Sequence, residues 1–240
     1  MRKQLFIIKA GTTYPDTLRE YGDFDLWTIR GLGCCHESVR VIDAEHGGQL
    51  PGADDCSSVV VTGSHDMVTD NLPWSVRIAD WIPSLVDRKI PFLGICYGHQ
   101  LLAHAMGGRV GFHSEGTEIG TVEITLLPDR AGDALFSALP MSFPAHVSHS
   151  QTVIALPEGA VRIAMNSFEP THAFRIGECA WGVQFHPEYT ADIMRSYIIH
   201  EKGDLIREGI DILQIMDSVK DTPVAASILK RFNEIAIMGF

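Results

Sequence analysis

The chain has 240 residues, of which 45% are hydrophobic and 20% charged, a composition typical of a soluble globular protein with a sizeable core. Its formal net charge of −11 disfavours nucleic acid and anionic membrane as partners, because both require basic patches. Five cysteines without a Cys-x-x-Cys spacing argue against a disulfide framework or a zinc ribbon, and favour a reducing, cytoplasmic environment.

Strands and helices are predicted to alternate along the first hundred residues. Four apolar or β-branched runs predict strands, at 4–10, 38–44, 57–64 and 90–95. Apolar residues at helical spacing predict helices over 73–89, which begins with proline, and over 98–108, which ends in glycine. This alternation predicts an α/β protein with a mainly parallel sheet covered on both faces.

The pattern changes from about residue 109. Short apolar segments follow one another with Pro and Gly between them, which predicts a small antiparallel excursion beside the parallel sheet. Residues 191–240 have helical spacing. We therefore expect one domain over 1–190 and a helical C-terminal extension over 191–240 packed on it. The apolar positions of that extension also leave open a homodimer or partner interface.

The stretch "GICYG" places Cys96 between Gly94 and Gly98, where a predicted strand meets a predicted helix. A glycine on each side of the nucleophile is typical of a nucleophile elbow, whose strained backbone leaves no room for larger residues. The N-terminus of the helix favours a thiolate, and the N–H of Tyr97 is the natural donor to an oxyanion. Taken alone, the stretch fits a buried structural cysteine equally well.

A thiolate nucleophile needs a general base, and the base needs a group that orients it. In "WGVQFHPEYT", His186 ends an apolar strand and Glu188 follows two residues later, on the same side of an extended chain. Glu188 can therefore fix the tautomer of the imidazole. The pair His146 and His149 has no carboxylate or cysteine at ligand spacing, so we expect no metal site.

Together, "GICYGHQLLA" and "GVQFHPE" resemble the two signature motifs of the class I glutamine amidotransferases, which use a Cys-His-Glu triad. The resemblance runs from about Phe6 to Glu188 and is greatest to the amidotransferase domain of GMP synthase. "VVVTGS", "EGTEIGTVEI" and "VSHSQTVIALPEGA" resemble the family's oxyanion strand, Glu-Phe/Tyr-Gly segment and Ser-His-Gly-Asp segment. The resemblance implies a flavodoxin-like, doubly wound fold and no cofactor.

The same resemblance implies a role for each matching residue. Cys96 would attack the side-chain amide of glutamine, with His186 as general base and Glu188 as its orienter. An oxyanion hole is implied at the amides of Gly63 and Tyr97, and substrate binding at Gln100, Ser148, His149, Ser150 and Gln151. Ser150 and Gln151 stand where the GMP synthase type has Gly and Asp, so the preferred substrate stays open.

Three functions are compatible with these motifs. After Glu188 no Ser-Gly-Gly-x-Asp-Ser loop or P-loop appears, so a glutaminase would pass ammonia to a separate synthase subunit. A standalone γ-glutamyl peptidase or hydrolase with the same triad is the second alternative. A non-catalytic regulatory subunit on this fold is the third, although such relatives usually lose the cysteine or the histidine.

Overall fold

The structure is a computed structural model and describes residues 3–35 and 38–238. The strands are β1 (Gln4–Lys9), β2 (Val39–Asp43), β3 (Cys56–Val61), β4 (Phe92–Ile95), β5 (Arg109–Phe112), β6 (Glu118–Leu126), β7 (Ser142–His149), β8 (Gln151–Ala155), β9 (Val161–Met165), β10 (Ala173–Ile176) and β11 (Ala180–Val183). The helices are α1 (Pro15–Tyr21), α2 (Phe24–Leu32), α3 (Pro73–Asp87), α4 (Tyr97–Ala105), α5 (Ala191–Arg207), α6 (Ile212–Ser218) and α7 (Pro223–Met238).

A nine-stranded sheet in the described residues has the order β2-β1-β3-β4-β11-β10-β9-β6-β7. The first five strands of this order are parallel, and the remaining four pair antiparallel. Strands β5 and β8 form a separate antiparallel ribbon. The predicted parallel sheet with an antiparallel excursion is therefore confirmed. The sequence did not predict β5, β7, α1 or α2.

The inner parallel strands β1, β3, β4 and β11 have mostly apolar, buried residues because both faces of the sheet are covered there. In β1, Leu5 and Ile7 point into one core, whereas Phe6 and Ile8 point into the other. Helices α2 and α7 cover the first face, and α3 and α4 cover the second. Burying one such side chain contributes about 1.5–3 kcal/mol to the stability of the fold. The two cores therefore hold the strands that reach the site in position.

The helices after residue 190 pack against earlier parts of the chain. Thr190 is the N-cap of helix α5. The sequence predicted one continuous helix here, but a break near Gly209 (φ 81°) separates α5 from α6. Near α1, Thr13 Oγ1 and Tyr197 Oη share a hydrogen bond of 2.8 Å. The division of the chain at residue 190 stays a prediction. No helix in the two described ranges has the length and apolar character needed to cross a bilayer.

Helix α7 offers a direct test of whether the C-terminal extension belongs to the main folding unit. Phe232 is fully buried in the core shared with β1, whereas Ile237 on the same helix is 75% exposed. We expect Phe232→Ala to lower the free energy of unfolding by about 3–5 kcal/mol and Ile237→Ala by under about 0.5 kcal/mol, measured by urea denaturation. Equal small losses would contradict packing of α7 as part of that unit.

Candidate active site

Cys96 occupies the turn between β4 and α4 with φ 48° and ψ −96°, a conformation that costs a non-glycine residue energy. A Cβ added at Gly94 would lie 2.2 Å from the carbonyl oxygen of Gly98. One added at Gly98 would lie 2.4 Å from the carbonyl oxygen of Val61. Both glycines are therefore required by close backbone contacts, and these contacts hold the cysteine at the carboxyl end of the parallel strands.

The thiol of Cys96 lies in the wall of a cavity of about 450 Å³. Sγ donates to the carbonyl oxygen of Ser148 at 3.7 Å and accepts from Gln184 Nε2 at 3.5 Å. Sequence reasoning missed Gln184. The available signal was its place two residues before His186, on the same side of an extended chain.

His186 and Glu188 form the hydrogen-bonded pair that their spacing predicted. His186 Nδ1 donates to Glu188 Oε1 at 2.6 Å, and both side chains are buried. Burial opposes the charged imidazolium, but the Glu188 carboxylate and the Cys96 sulfur outweigh it and raise the pKa of His186 to about 10. The ring also stacks on Tyr189, with 4.0 Å between centroids. This environment favours the protonated form of His186 beside the sulfur of Cys96.

Two neighbouring histidines differ from His186 in charge. Burial, assisted by the charge on His186, lowers the pKa of His65 and of His146 to about 4. Both rings are therefore neutral at pH 7. In the described part of the chain, no group of three or more His, Cys, Asp or Glu side chains is arranged to hold a metal ion.

Gly63 lies against the ring of His186. A Cβ added at Gly63 would approach His186 Cε1 to 3.0 Å, so a larger residue there would push on the ring. The cavity lining begins at the next residue, Ser64, and also includes Tyr97 at the N-terminus of α4. The phenol of Tyr97 bonds to Ser75 Oγ at 2.5 Å, so its backbone amide is the group relevant to the cavity.

All five predicted substrate-binding residues line the cavity that contains Cys96: Gln100, Ser148, His149, Ser150 and Gln151. Gln100 Nε2 donates to the carbonyl oxygen of Gln151 at 2.9 Å and to Gln184 Oε1 at 3.0 Å. Both amide hydrogens of Gln100 are thus used within the protein. This side chain holds the 148–151 segment against the elbow.

Behind that segment, Glu118 anchors His149. His149 Nε2 donates to Glu118 Oε2 at 3.0 Å, and Nδ1 lies 3.0 Å from the carbonyl oxygen of Gln151. Burial alone would raise the pKa of Glu118, but hydrogen bonds from His149 and His172 hold it well below its usual range. Both ring nitrogens of His149 are thus occupied by groups of the protein, which fixes the orientation of the ring.

Helix α5 supplies an acidic wall of the cavity that sequence reasoning did not predict. Glu201, Asp204 and Glu208 line it, as does Asp66 from the loop after β3, and no lysine or arginine of the described residues does. Since these carboxylates come from distant parts of the sequence, no local motif signals their convergence.

An α/β sheet with a cysteine elbow and a buried His-Glu pair defines a class of cysteine-dependent amide-cleaving enzymes. The family model "Glutamine amidotransferase class-I" matches residues 24–203. Gamma-glutamyl peptidase 5 of Arabidopsis thaliana is 32% identical over 201 residues, covering 80% of this chain and 78% of the plant protein. A glutamine-hydrolysing GMP synthase of Porphyromonas gingivalis is 39% identical over 132 residues, 54% of this chain and 24% of that protein.

Solved structures agree with these matches in fold. A glutamine amidotransferase from Thermotoga maritima superposes with a TM-score of 0.78 at 23% identity, covering 100% of both chains. The chain belongs to the class I glutamine amidotransferase family, which makes it an enzyme of the amidotransferase and hydrolase type. The resemblance seen in "GICYG" and "FHPE" and the flavodoxin-like fold are confirmed. The match to GMP synthase spans about a quarter of that enzyme's length.

Proposed function

We propose that this enzyme hydrolyses the side-chain amide of glutamine through a cysteinyl thioester, releasing glutamate and ammonia. The arrangement of Cys96, His186 and Glu188 carries the proposal. The sulfur lies on the cavity, the imidazolium beside it has a raised pKa, and the carboxylate bonds to the far nitrogen of that ring at 2.6 Å. With Nδ1 held by Glu188, Nε2 of His186 is left to exchange a proton with the reacting groups.

In the first half of the reaction, the Cys96 thiolate attacks the amide carbon of glutamine. The amides of Gly63 and Tyr97 donate to the oxyanion that forms. Nε2 of the imidazolium gives its proton to the departing nitrogen, so that ammonia leaves and a glutamyl thioester remains. Neutral His186 then takes a proton from water, and the resulting hydroxide attacks the thioester. Collapse of that intermediate expels the thiolate and restores the starting ion pair.

Two glutamines and one histidine support this chemistry without taking part in it. Gln184 holds the sulfur through its Nε2 contact, and Gln100 fixes Gln184. His149 fixes the carbonyl of Gln151 from the other side. The wall that binds the amino-acid end of the substrate is therefore oriented before the substrate arrives, which reduces the reorganisation needed at the transition state.

A γ-glutamyl peptidase is the second candidate function. The cavity of about 450 Å³ that contains Cys96 leaves room for a group on the amide nitrogen. The similarity to gamma-glutamyl peptidase 5 over 80% of this chain favours the same alternative. In either reaction the thioester is the same, and only the leaving amine differs. A separate synthase subunit that accepts the ammonia is expected only if the enzyme is a glutaminase.

The identity of the leaving amine can be determined by comparing kcat/KM for glutamine with kcat/KM for a set of γ-glutamyl dipeptides. We expect glutamine to be preferred, with stoichiometric release of ammonia and glutamate. A preference for the dipeptides by two or more orders of magnitude would replace the glutaminase with the peptidase. No cleavage of either substrate would contradict both, and would favour a non-catalytic subunit.

A further inference from the structure

Glu201 on α5 is a partly buried carboxylate at the wall of the reaction cavity. Its Oε1 accepts a hydrogen bond from Ser148 Oγ at 3.0 Å and lies 3.4 Å from the Tyr14 hydroxyl. Burial raises the pKa of Glu201, although these two hydrogen bonds and the charge on His186 partly oppose the rise. The hydroxyl groups satisfy the carboxylate as an acceptor but bring no positive charge.

No ion pair found in residues 3–35 and 38–238 includes Glu201. The other two carboxylates at this wall, on α5 and at its C-cap, have partners. Asp204 pairs with Arg207, and Glu208 accepts from the amide and the hydroxyl of Thr117. A carboxylate that is partly removed from water without a countercharge is unfavourable unless a bound cation supplies one.

Ser148 connects Glu201 to the nucleophile. Its carbonyl oxygen lies 3.7 Å from Cys96 Sγ, and its hydroxyl donates to Glu201. In glutamine the amide carbon and the α-nitrogen are four bonds apart, about 5 Å in an extended chain. Approach of the sulfur to the amide carbon and an ammonium–carboxylate hydrogen bond would each add roughly 3 Å to the length that the bound substrate spans.

The charge of Glu201 matches one end of a free amino acid, which carries an α-ammonium group. Glu201 lines the cavity that contains Cys96 and accepts only from neutral hydroxyl groups. It therefore offers the opposite charge to that ammonium group.

From these contacts we propose that Glu201 binds the α-ammonium group of the glutamyl substrate and so makes a free α-amino group a condition of cleavage. The assignment rests on the proposed function in that Cys96 receives the side-chain amide of the same molecule. It excludes glutamine residues inside a polypeptide, whose α-nitrogen is acylated. It admits free glutamine and γ-glutamyl compounds alike, because both retain the ammonium group.

Glutaramic acid, which is glutamine without its α-amino group, tests the assignment. Wild type is expected to show a kcat/KM for glutamine roughly 10- to 100-fold above that for glutaramic acid. Glu201→Gln should lower kcat/KM for glutamine by a similar factor, mainly through KM, and leave glutaramic acid almost unchanged. Asp192→Asn is the matched control, because Asp192 starts the same helix, pairs with exposed Arg195 and lies outside the cavity.

Two results would overturn the assignment while leaving the proposed function intact: equal cleavage of the two compounds by wild type, or an equal loss on both in Glu201→Gln. The second result would indicate a structural role. Calorimetric binding of both compounds to Cys96→Ala, with and without Glu201→Gln, separates recognition from chemistry. An affinity difference that Glu201→Gln removes would uphold the role of Glu201 even if wild type cleaved neither compound. Absence of any difference would refute it.

Discussion

Replacing Cys96 by alanine is expected to lower kcat for glutamine hydrolysis by at least about 10⁴-fold. In the proposed mechanism the reaction proceeds through a bond to this sulfur, and the remaining groups cannot replace it. Gln184 and Gln100 would still hold the substrate segment, and the amides of Gly63 and Tyr97 would still be in place. Binding of glutamine should therefore survive in the variant while turnover does not, as ammonia release and calorimetry would show.

The matched control is Cys35→Ala, which removes an exposed cysteine that does not line the cavity. Its turnover should equal that of wild type. Cys96→Ser should also be nearly inactive, because a hydroxyl is not ionised by a neighbouring imidazole as a thiol is. Turnover of Cys96→Ala within tenfold of wild type would refute the nucleophile assignment.

The backbone of Cys96 adds a second expected result from the same position. A non-glycine residue at φ 48° is strained, and alanine keeps that strain where glycine removes it. Cys96→Gly should therefore be more stable to urea than Cys96→Ala by roughly 1–3 kcal/mol, although both are inactive. Equal stabilities would show that the turn is not strained. The predicted strain lowers the stability of the fold while the turn places the sulfur at the cavity wall.

The second large effect is expected at Glu188. In Glu188→Gln the ring of His186 keeps a hydrogen-bonding neighbour but loses the carboxylate that favours its protonated form. We expect kcat to fall by about 10²- to 10⁴-fold, because the tautomer and the charge of His186 are no longer fixed. Asp192→Asn, which removes an exposed carboxylate outside the cavity, should leave kcat unchanged. A kcat in Glu188→Gln equal to that of wild type would show that Glu188 does not orient the base.

Stability should respond to pH through the same pair. The pKa of His186 rises from 6.5 to about 10 in the folded protein, so the folded state binds more protons than the unfolded state between these values. The contribution of His186 to stability is then full below about pH 6.5 and is lost as the pH rises through about 10. Urea denaturation of wild type should show that decline, and Glu188→Gln should show a smaller one.

Local signals predicted the centre of the site. The two glycines of the elbow and the two-residue spacing of His186 and Glu188 are properties of short segments, which the backbone geometry translates directly into contacts. The four inner strands of the parallel half also follow from their apolar runs, because burial on both faces leaves little choice of residue.

The outer parts of the site depend on topology, which local signals do not encode. Glu201 has an ordinary solvent-facing pattern in its helix and reaches the cavity only because α5 folds back beside β7. Glu118 reaches His149 because β6 and β7 are paired in register across a long connection. The segment of Glu118 resembles a family motif, but the role of the residue follows only from its partner, which is visible in the folded sheet.

The cavity walls come from both ends of the described chain: Tyr14 and Glu201 meet across it, and Thr13 bonds to Tyr197 near by. During synthesis, the ribosome makes about a hundred further residues after Cys96 before Glu201 exists, which takes roughly 5–20 s. Throughout that interval the nascent chain has Cys96 but lacks the α5 wall of the cavity around it. The cavity therefore closes only after Glu201 has been made, long after the cysteine itself.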